Sequence, residues 1–143
     1  MSELHAEVEV REFFDRYERA NAEFEVQRIA ALYADVFLFG NPEGVQSVKK
    51  EDFVRVLPKR KEYFRSVGLL SSKIDSLAAS KLDSKYVLVK AVWQMRFERR
   101  TGEPVDSQNS TTYILSAVGD SFQIVFQIDH QDLRKKVQDL GLK

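Results

Sequence analysis

The sequence predicts an α+β fold, with helices gathered in the N-terminal half and packed on one side of a curved, mostly antiparallel sheet. Three observations carry this. Apolar residues recur at helical spacing through much of the first half, and alternation takes over from about residue 69. Residues 85–98 alternate without interruption. The stretch Leu32-Tyr33-Ala34-Asp35-Val36-Phe37-Leu38-Phe39-Gly40-Asn41-Pro42 passes from a helix end into apolar strand with no linker. So tight a joint places the strand beneath the helix and leaves room for a cavity between them.

Residues 4–20 read as an amphipathic helix, with Val10, Phe13, Phe14, Tyr17 and Ala20 on one face and Arg11, Asp15, Glu18 and Arg19 opposite. Asn21 is a plausible stop. A shorter helix covers about 25–34, its inward stripe being Val26, Ile29, Ala30 and Tyr33. An apolar strand follows at 36–39, then turn material at Gly40-Asn41-Pro42-Glu43-Gly44 and a short return strand at 45–48. A third helix starts near Lys50 or Glu51, with Phe53, Leu57 and Phe64 on one line. Pro58 lies inside it and predicts a kink or break. Ser66-Val67-Gly68 ends it.

The remainder reads as strand. Residues 69–79 are a weaker, Ser-rich strand. In 85–98, Val87, Val89, Ala91, Trp93, Met95 and Phe97 share one face. Thr101-Gly102-Glu103-Pro104 makes a hairpin turn, 108–118 returns, and Gly119-Asp120-Ser121 turns again. The last strand, 122–129, puts Ile124, Phe126 and Ile128 on one face by strict alternation. The charged tail from Gln131 reads as a short helix that frays.

Length bounds the chain to one domain, 1–143, with frayed ends at about 1–4 and 133–143. A chain of this size buries ~70% of its unfolded surface and folds without a disulfide or metal. It has no cysteine, which removes thiolate catalysis and zinc–thiolate sites and suits a reducing cytoplasm. The acidic N-terminus is unlike a signal peptide, and no segment has the ~20 apolar residues of a membrane span. Basic and acidic residues balance at 22 each, which argues against nucleic acid as a partner. The basic run Lys49, Lys50, Arg55, Lys59, Arg60, Lys61 and Arg65 sits beside Glu51, Asp52 and Glu62 and reads as a solvated helix face. No cofactor is expected. The six glycines are dispersed and form no phosphate loop, no Gly-x-Ser-x-Gly is present, and no histidine pair has metal-ligand spacing.

The element order, the lengths and the Tyr33-Ala34-Asp35 joint resemble the nuclear transport factor 2-like superfamily over about residues 5–132. The resemblance implies a cone-shaped α+β barrel in which a strongly curved sheet wraps three N-terminal-half helices around an apolar pocket. It also implies a homodimer. The N-terminal half looks most like the ketosteroid isomerase and SnoaL-like branch. In that branch a tyrosine of the first helix donates to the substrate oxygen, and Tyr17, sixteen residues before Tyr33, stands at its expected place. The branch sets its general-base aspartate before a proline; here Asn41 precedes Pro42 and cannot abstract a proton. The branch's second, protonated acid falls near Gln108 or Asn109, with Asp106 close by.

Several residues carry two readings. Tyr17 is a pocket donor or a core tyrosine with a backbone partner, and Tyr33 is of the same kind. Asn41 orients a ligand or simply shapes its turn. Asp35 is a base at the pocket mouth or a solvent-facing residue at the joint. His130, the only histidine of the folded body since His5 lies in the frayed start, is a base beside Asp129 and Asp132 or an exposed strand end. Trp93, Met95 and Phe97 are core or, if a pocket remains, its walls. Their neighbours would be Phe13, Phe37, Phe39, Phe53, Leu57 and Phe126.

Two functions follow. One is a pocket protein for a small apolar, carbonyl- or hydroxyl-bearing molecule, with lyase or isomerase chemistry on Tyr17, Asn41 and His130 or Asp35. The other is a non-catalytic homodimeric binding module whose cone is filled by side chains. Dimerisation is expected through Tyr86, Leu88, Val92, Gln94 and Arg96 on the second face of strand 85–98.

Overall fold

A computed structural model describes residues 3–142, with side chains from Glu7 onward. The expected fraying at Met1 and Ser2 and the side chain of His5 lie outside the described residues. Helix α1 spans Glu3–Ala22 and buries the expected stripe, with Phe13 and Phe14 fully enclosed. Phe24, at φ 51, reverses the chain into the short helix α2, Val26–Ala31. That helix ends earlier than its apolar spacing suggests. Tyr33 begins strand β1, Tyr33–Asn41, and its burial comes from the sheet rather than from a helical stripe. Strand β2 is Gly44–Lys49, and helix α3, Lys50–Ser66, continues through Pro58, so that of the expected kink or break the break does not occur.

Gly68, at φ 87, turns the chain into β3, Leu69–Lys81, and its carbonyl accepts from Glu98 N at 2.8 Å. Strands β4 (Tyr86–Glu98), β5 (Pro104–Val118) and β6 (Ser121–Asp129) complete the sheet. A final helix, α4, spans Leu133–Asp139, capped by the Asp132 carboxylate accepting from Lys135 N. This tail is anchored: Val137 and Leu142 are buried against Val67, Met95 and Phe97.

The sheet is curved and open, in the order β2-β1-β6-β5-β4-β3. All neighbours are antiparallel except β1 and β6, which run parallel. The architecture is the expected α+β cone, with the sheet left open at β2 and β3. The inner face of β4 is the alternating set from Val87 to Phe97. It joins two apolar clusters. The larger packs α1 and α2 against the sheet as far as Trp93, and the smaller begins at Met95.

One local feature changes the reading of β6. Leu115 pairs with Ile124, but Ile114 pairs with Phe126, so the register slips at Val125. A bulge of this kind reverses the side-chain alternation beyond it. Ile124 points inward and is fully buried, whereas Phe126 and Ile128 turn to the outer face. Gln127 and Asp129 take the inner positions, opposite Tyr113 and Thr111.

Candidate functional site

Between the two apolar clusters lies a cavity of about 800 Å³. Tyr17 and Asn21 of α1, Leu57, Arg60 and Phe64 of α3, and Trp93 and Met95 of β4 contribute to its walls. The last two strands supply Asn109, Thr111, Tyr113, Gln127 and Asp129. Its volume falls within the range usual for small-molecule sites, and the cone is therefore not filled by its own side chains.

The polar groups of the inner wall form a chain whose proton order can be worked out. A carboxylate only accepts, so the Gln127 amide nitrogen must face Asp129, where Nε2 donates to Oδ1 at 3.3 Å. Gln127 Oε1 is thereby turned to Tyr33, whose hydroxyl donates to it at 2.6 Å. With that proton committed, the Tyr17–Tyr33 contact of 3.0 Å requires Tyr17 to donate. Thr111 Oγ1 donates to the same Asp129 oxygen at 3.3 Å. Trp93 Nε1, a donor only, donates to the Tyr113 hydroxyl at 3.3 Å.

Burial pushes the Tyr33 hydroxyl well above its ordinary 10.0, reinforced by the neighbouring Tyr17 and Tyr113 hydroxyls. Burial does the same for Tyr113, with Tyr17 adding to it and the Trp93 N–H opposing. Both phenols keep their protons at neutral pH. Arg60 is an exposed residue at the lining of the cavity. Burial works against its charge, but Asp129 and the hydroxyls of Tyr17, Tyr33 and Tyr113 outweigh that and raise its pKa.

The expected site residues separate into two groups. Tyr17, Leu57, Trp93 and Met95 line the cavity, and Tyr33 stands behind Tyr17 in the hydrogen-bond chain. The hydroxyl partner of Tyr17 is thus another tyrosine rather than backbone. Asn41 is exposed and its Oδ1 accepts from Glu43 N at 2.9 Å, which is its turn-forming role. Asp35 has a 97% exposed side chain and meets Lys50 at 3.5 Å. His130 is exposed, with Nε2 2.7 Å from Thr112 Oγ1 on the outer face. These three do not converge with Tyr17.

The aromatic candidates divide in the same way. Phe13 is enclosed in the core, and Phe37 and Phe53 pack on Tyr33. Phe97 belongs to the second cluster, Phe39 is half-buried on β1, and Phe126 faces outward. Asp106 is paired with Arg96 at 3.2 Å, outside the cavity. Among the described residues no cluster of His, Cys, Asp or Glu could hold a metal ion. Asp129, Gln127 and Thr111 do not stand out as a site in the sequence, and its basic neighbours make Arg60 read as part of a solvated face. The bulge hid the first group.

A family model described as NTF2-like protein (DUF6841) matches residues 6–132. Solved structures share the fold. Aln2 from a Streptomyces species is 15% identical with a TM-score of 0.73, covering 95% of this chain and 97% of its own. A Catenulispora acidiphila protein in complex with S-DNPA is 16% identical at TM-score 0.73, covering 94% and 98%. An NTF-2 like protein of unknown function from Shewanella oneidensis is 11% identical at TM-score 0.69, covering 88% and 99%. At these identities the likeness is one of fold. No curated protein matches the chain significantly.

Proposed function

We propose that this chain, which belongs to the NTF2-like family DUF6841, binds a small apolar molecule bearing carbonyl or hydroxyl groups and moves a proton on it, as a lyase or isomerase does. The observation that carries the reading is Asp129. Its Oδ1 is held by Gln127 and Thr111, while Oδ2 has no partner among the described residues, on a side chain that lines the cavity. A carboxylate positioned this way can take a proton from a carbon next to a carbonyl. Trp93, Met95 and Tyr113 give that carbon an apolar bed. Tyr17 supplies the proton donor once a ligand oxygen replaces Tyr33 as its partner. The structural relative solved in complex with S-DNPA supports a ligand-holding use of this fold.

The test is a thermal-shift screen of apolar carbonyl and hydroxyl compounds against the parent, Tyr17→Phe and Asp129→Asn. Hits are then followed by NMR for deuterium uptake in D2O. Binding with exchange that Asp129→Asn abolishes is the expected result. No hit would sink the pocket reading. Binding with no exchange would leave a binding module without catalysis, a reading favoured by the exposed turn position of Asn41 where the branch has its acid.

A homodimer through the outer sheet face belongs to the same proposal. Leu38 is exposed there, and Phe126, Ile128 and Ile114 are only half-buried, extending the face of Tyr86, Leu88, Val92, Gln94 and Arg96. Light scattering of the parent and Ile114→Glu tests it, a monomeric parent being the refuting result. A cytoplasmic location is likewise proposed, on the lack of cysteine. Among the described residues no helix is long and apolar enough to cross a membrane.

A further inference from the structure

We propose that the cavity selects planar aromatic carboxylates and that Arg60 is the side chain that holds the carboxylate. The inference rests on the pocket reading above and adds the class of ligand.

The starting point is an imbalance of charge. The chain as a whole is neutral, yet five cationic side chains and three acidic ones line the cavity. Two of the acids are held through one oxygen each: Glu18 accepts from the Ile74 backbone N–H, and Asp129 Oδ1 from Gln127 and Thr111. Of the cations on α3, Lys61 lies over the Phe24 ring at 4.3 Å and Arg65 meets Glu62 at 3.9 Å. Arg60 differs from Arg65 in having no acid, and from Lys61 in offering the forked donors of a guanidinium. Among the described residues no carboxylate forms an ion pair with it. Its guanidinium sits 5.6 Å from the centre of the Phe64 ring, itself a wall of the cavity.

The surroundings keep Arg60 charged, since Asp129 and the three tyrosine hydroxyls outweigh the effect of burial. Arg60 lines the same cavity as Tyr17, Trp93 and Tyr113, which stand together in mutual ring and hydrogen-bond contact. A guanidinium with unused N–H groups next to aromatic surfaces matches a carboxylate on a flat ring: two parallel N–H···O bonds for the anion and ring contacts for the remainder. A purely solvated helix arginine explains neither its position on the wall nor its lack of an acidic partner, when Arg55 and Arg65 on the same helix each have one.

The experiment compares two probes of equal shape, 2-naphthoate and its neutral amide 2-naphthamide, by isothermal titration calorimetry. The proteins are the parent, Arg60→Gln, Arg60→Lys and, as a control outside the cavity, Arg55→Gln. The parent and Arg55→Gln should bind naphthoate roughly tenfold or more tighter than the amide, as a charge-assisted bond implies. Arg60→Gln should bring naphthoate down to the affinity of the amide and leave the amide unchanged, while Arg60→Lys keeps part of the preference. Equal binding of both probes by the parent, or a preference that survives Arg60→Gln, would overturn the role of Arg60 and leave the pocket reading standing. Failure of the folded parent to bind either probe would count against both.

Discussion

The hydrogen bond from Tyr33 to Gln127 gives the sharpest prediction, because its two ends fail in a defined way. Both side chains are buried, at 2% and 4% exposure, and the bond is 2.6 Å long. Tyr33→Phe leaves Gln127 Oε1 without its donor in a buried place, at about 1–3 kcal/mol. Gln127→Leu leaves the Tyr33 hydroxyl without its acceptor, at about 1–3 kcal/mol again. In the double variant neither orphan remains, so its loss should be well below the sum, with a coupling of about 1–2 kcal/mol. The proton order adds an asymmetry. Tyr17→Phe removes a donor to Tyr33 but leaves the Tyr33–Gln127 bond intact, so it should cost less than Tyr33→Phe, at about 0.5–1.5 kcal/mol. Urea denaturation followed by circular dichroism measures all four, with the slope held constant as the check that only stability has changed. Additivity within about 0.5 kcal/mol would refute the Tyr33–Gln127 bond, and a Tyr17→Phe loss as large as that of Tyr33→Phe would refute the proton order.

Further predictions concern pH and backbone. Tyr33 and Tyr113 have folded pKa values raised above the ordinary 10.0, so their contribution is fully present below pH 10 and is lost as pH rises beyond it, while the unfolded chain ionises first. Each adds a slope of about 1.4 kcal/mol per pH unit in that window, and Tyr113→Phe should remove one such increment from urea melts at pH 10–11. An unchanged slope would contradict the burial argument. Gly68 and Gly102 share φ +87, but an added Cβ lies 2.2 Å from the Glu98 carbonyl oxygen at Gly68 and meets nothing within 4 Å at Gly102. Gly102→Ala should therefore show only backbone strain, about 1–2 kcal/mol. Gly68→Ala should lose a further ~1–3 kcal/mol from the clash. Equal losses in thermal melts would show that the Glu98 carbonyl yields freely.

Much of the architecture was legible because each element obeys one period along its length. The α1 stripe from Val10 to Ala20 and the β4 alternation from Val87 to Phe97 are buried as their spacing demands. The joint at Leu32 to Asp35 was readable as a joint, but its boundary shifted. Tyr33 fits both a helical stripe and a strand, and the parallel partner β6 decides the matter. The site was less legible for a related reason. Strict alternation from Ile124 predicts Phe126 inward, and a single extra residue at Val125 sends Gln127 and Asp129 there instead. Nothing local to the β6 sequence marks that slip, since it is set by pairing with β5. Arg60 is obscured similarly: it sits in a run of basic residues, and only the placement of α3 against the cavity, together with its lack of an acidic partner, sets it apart from Arg55 and Arg65.

The parallel pairing of β1 with β6 has a consequence for the order in which the molecule assembles. Tyr33 and Gln127 are 94 residues apart, so the contact that backs the cavity wall closes a loop of about two thirds of the 143 residues. Such distant pairing slows folding relative to the β3–β4–β5 meander, which closes through local turns. On the ribosome, α1 and β1 emerge long before β6, leaving Phe13, Phe14 and Tyr33 without their final neighbours until β6 has been made. The hairpins to either side can form early, but the binding chamber is a late product of folding. Chains stopped before Ser121 would expose the apolar interior and be candidates for chaperone capture rather than partial function.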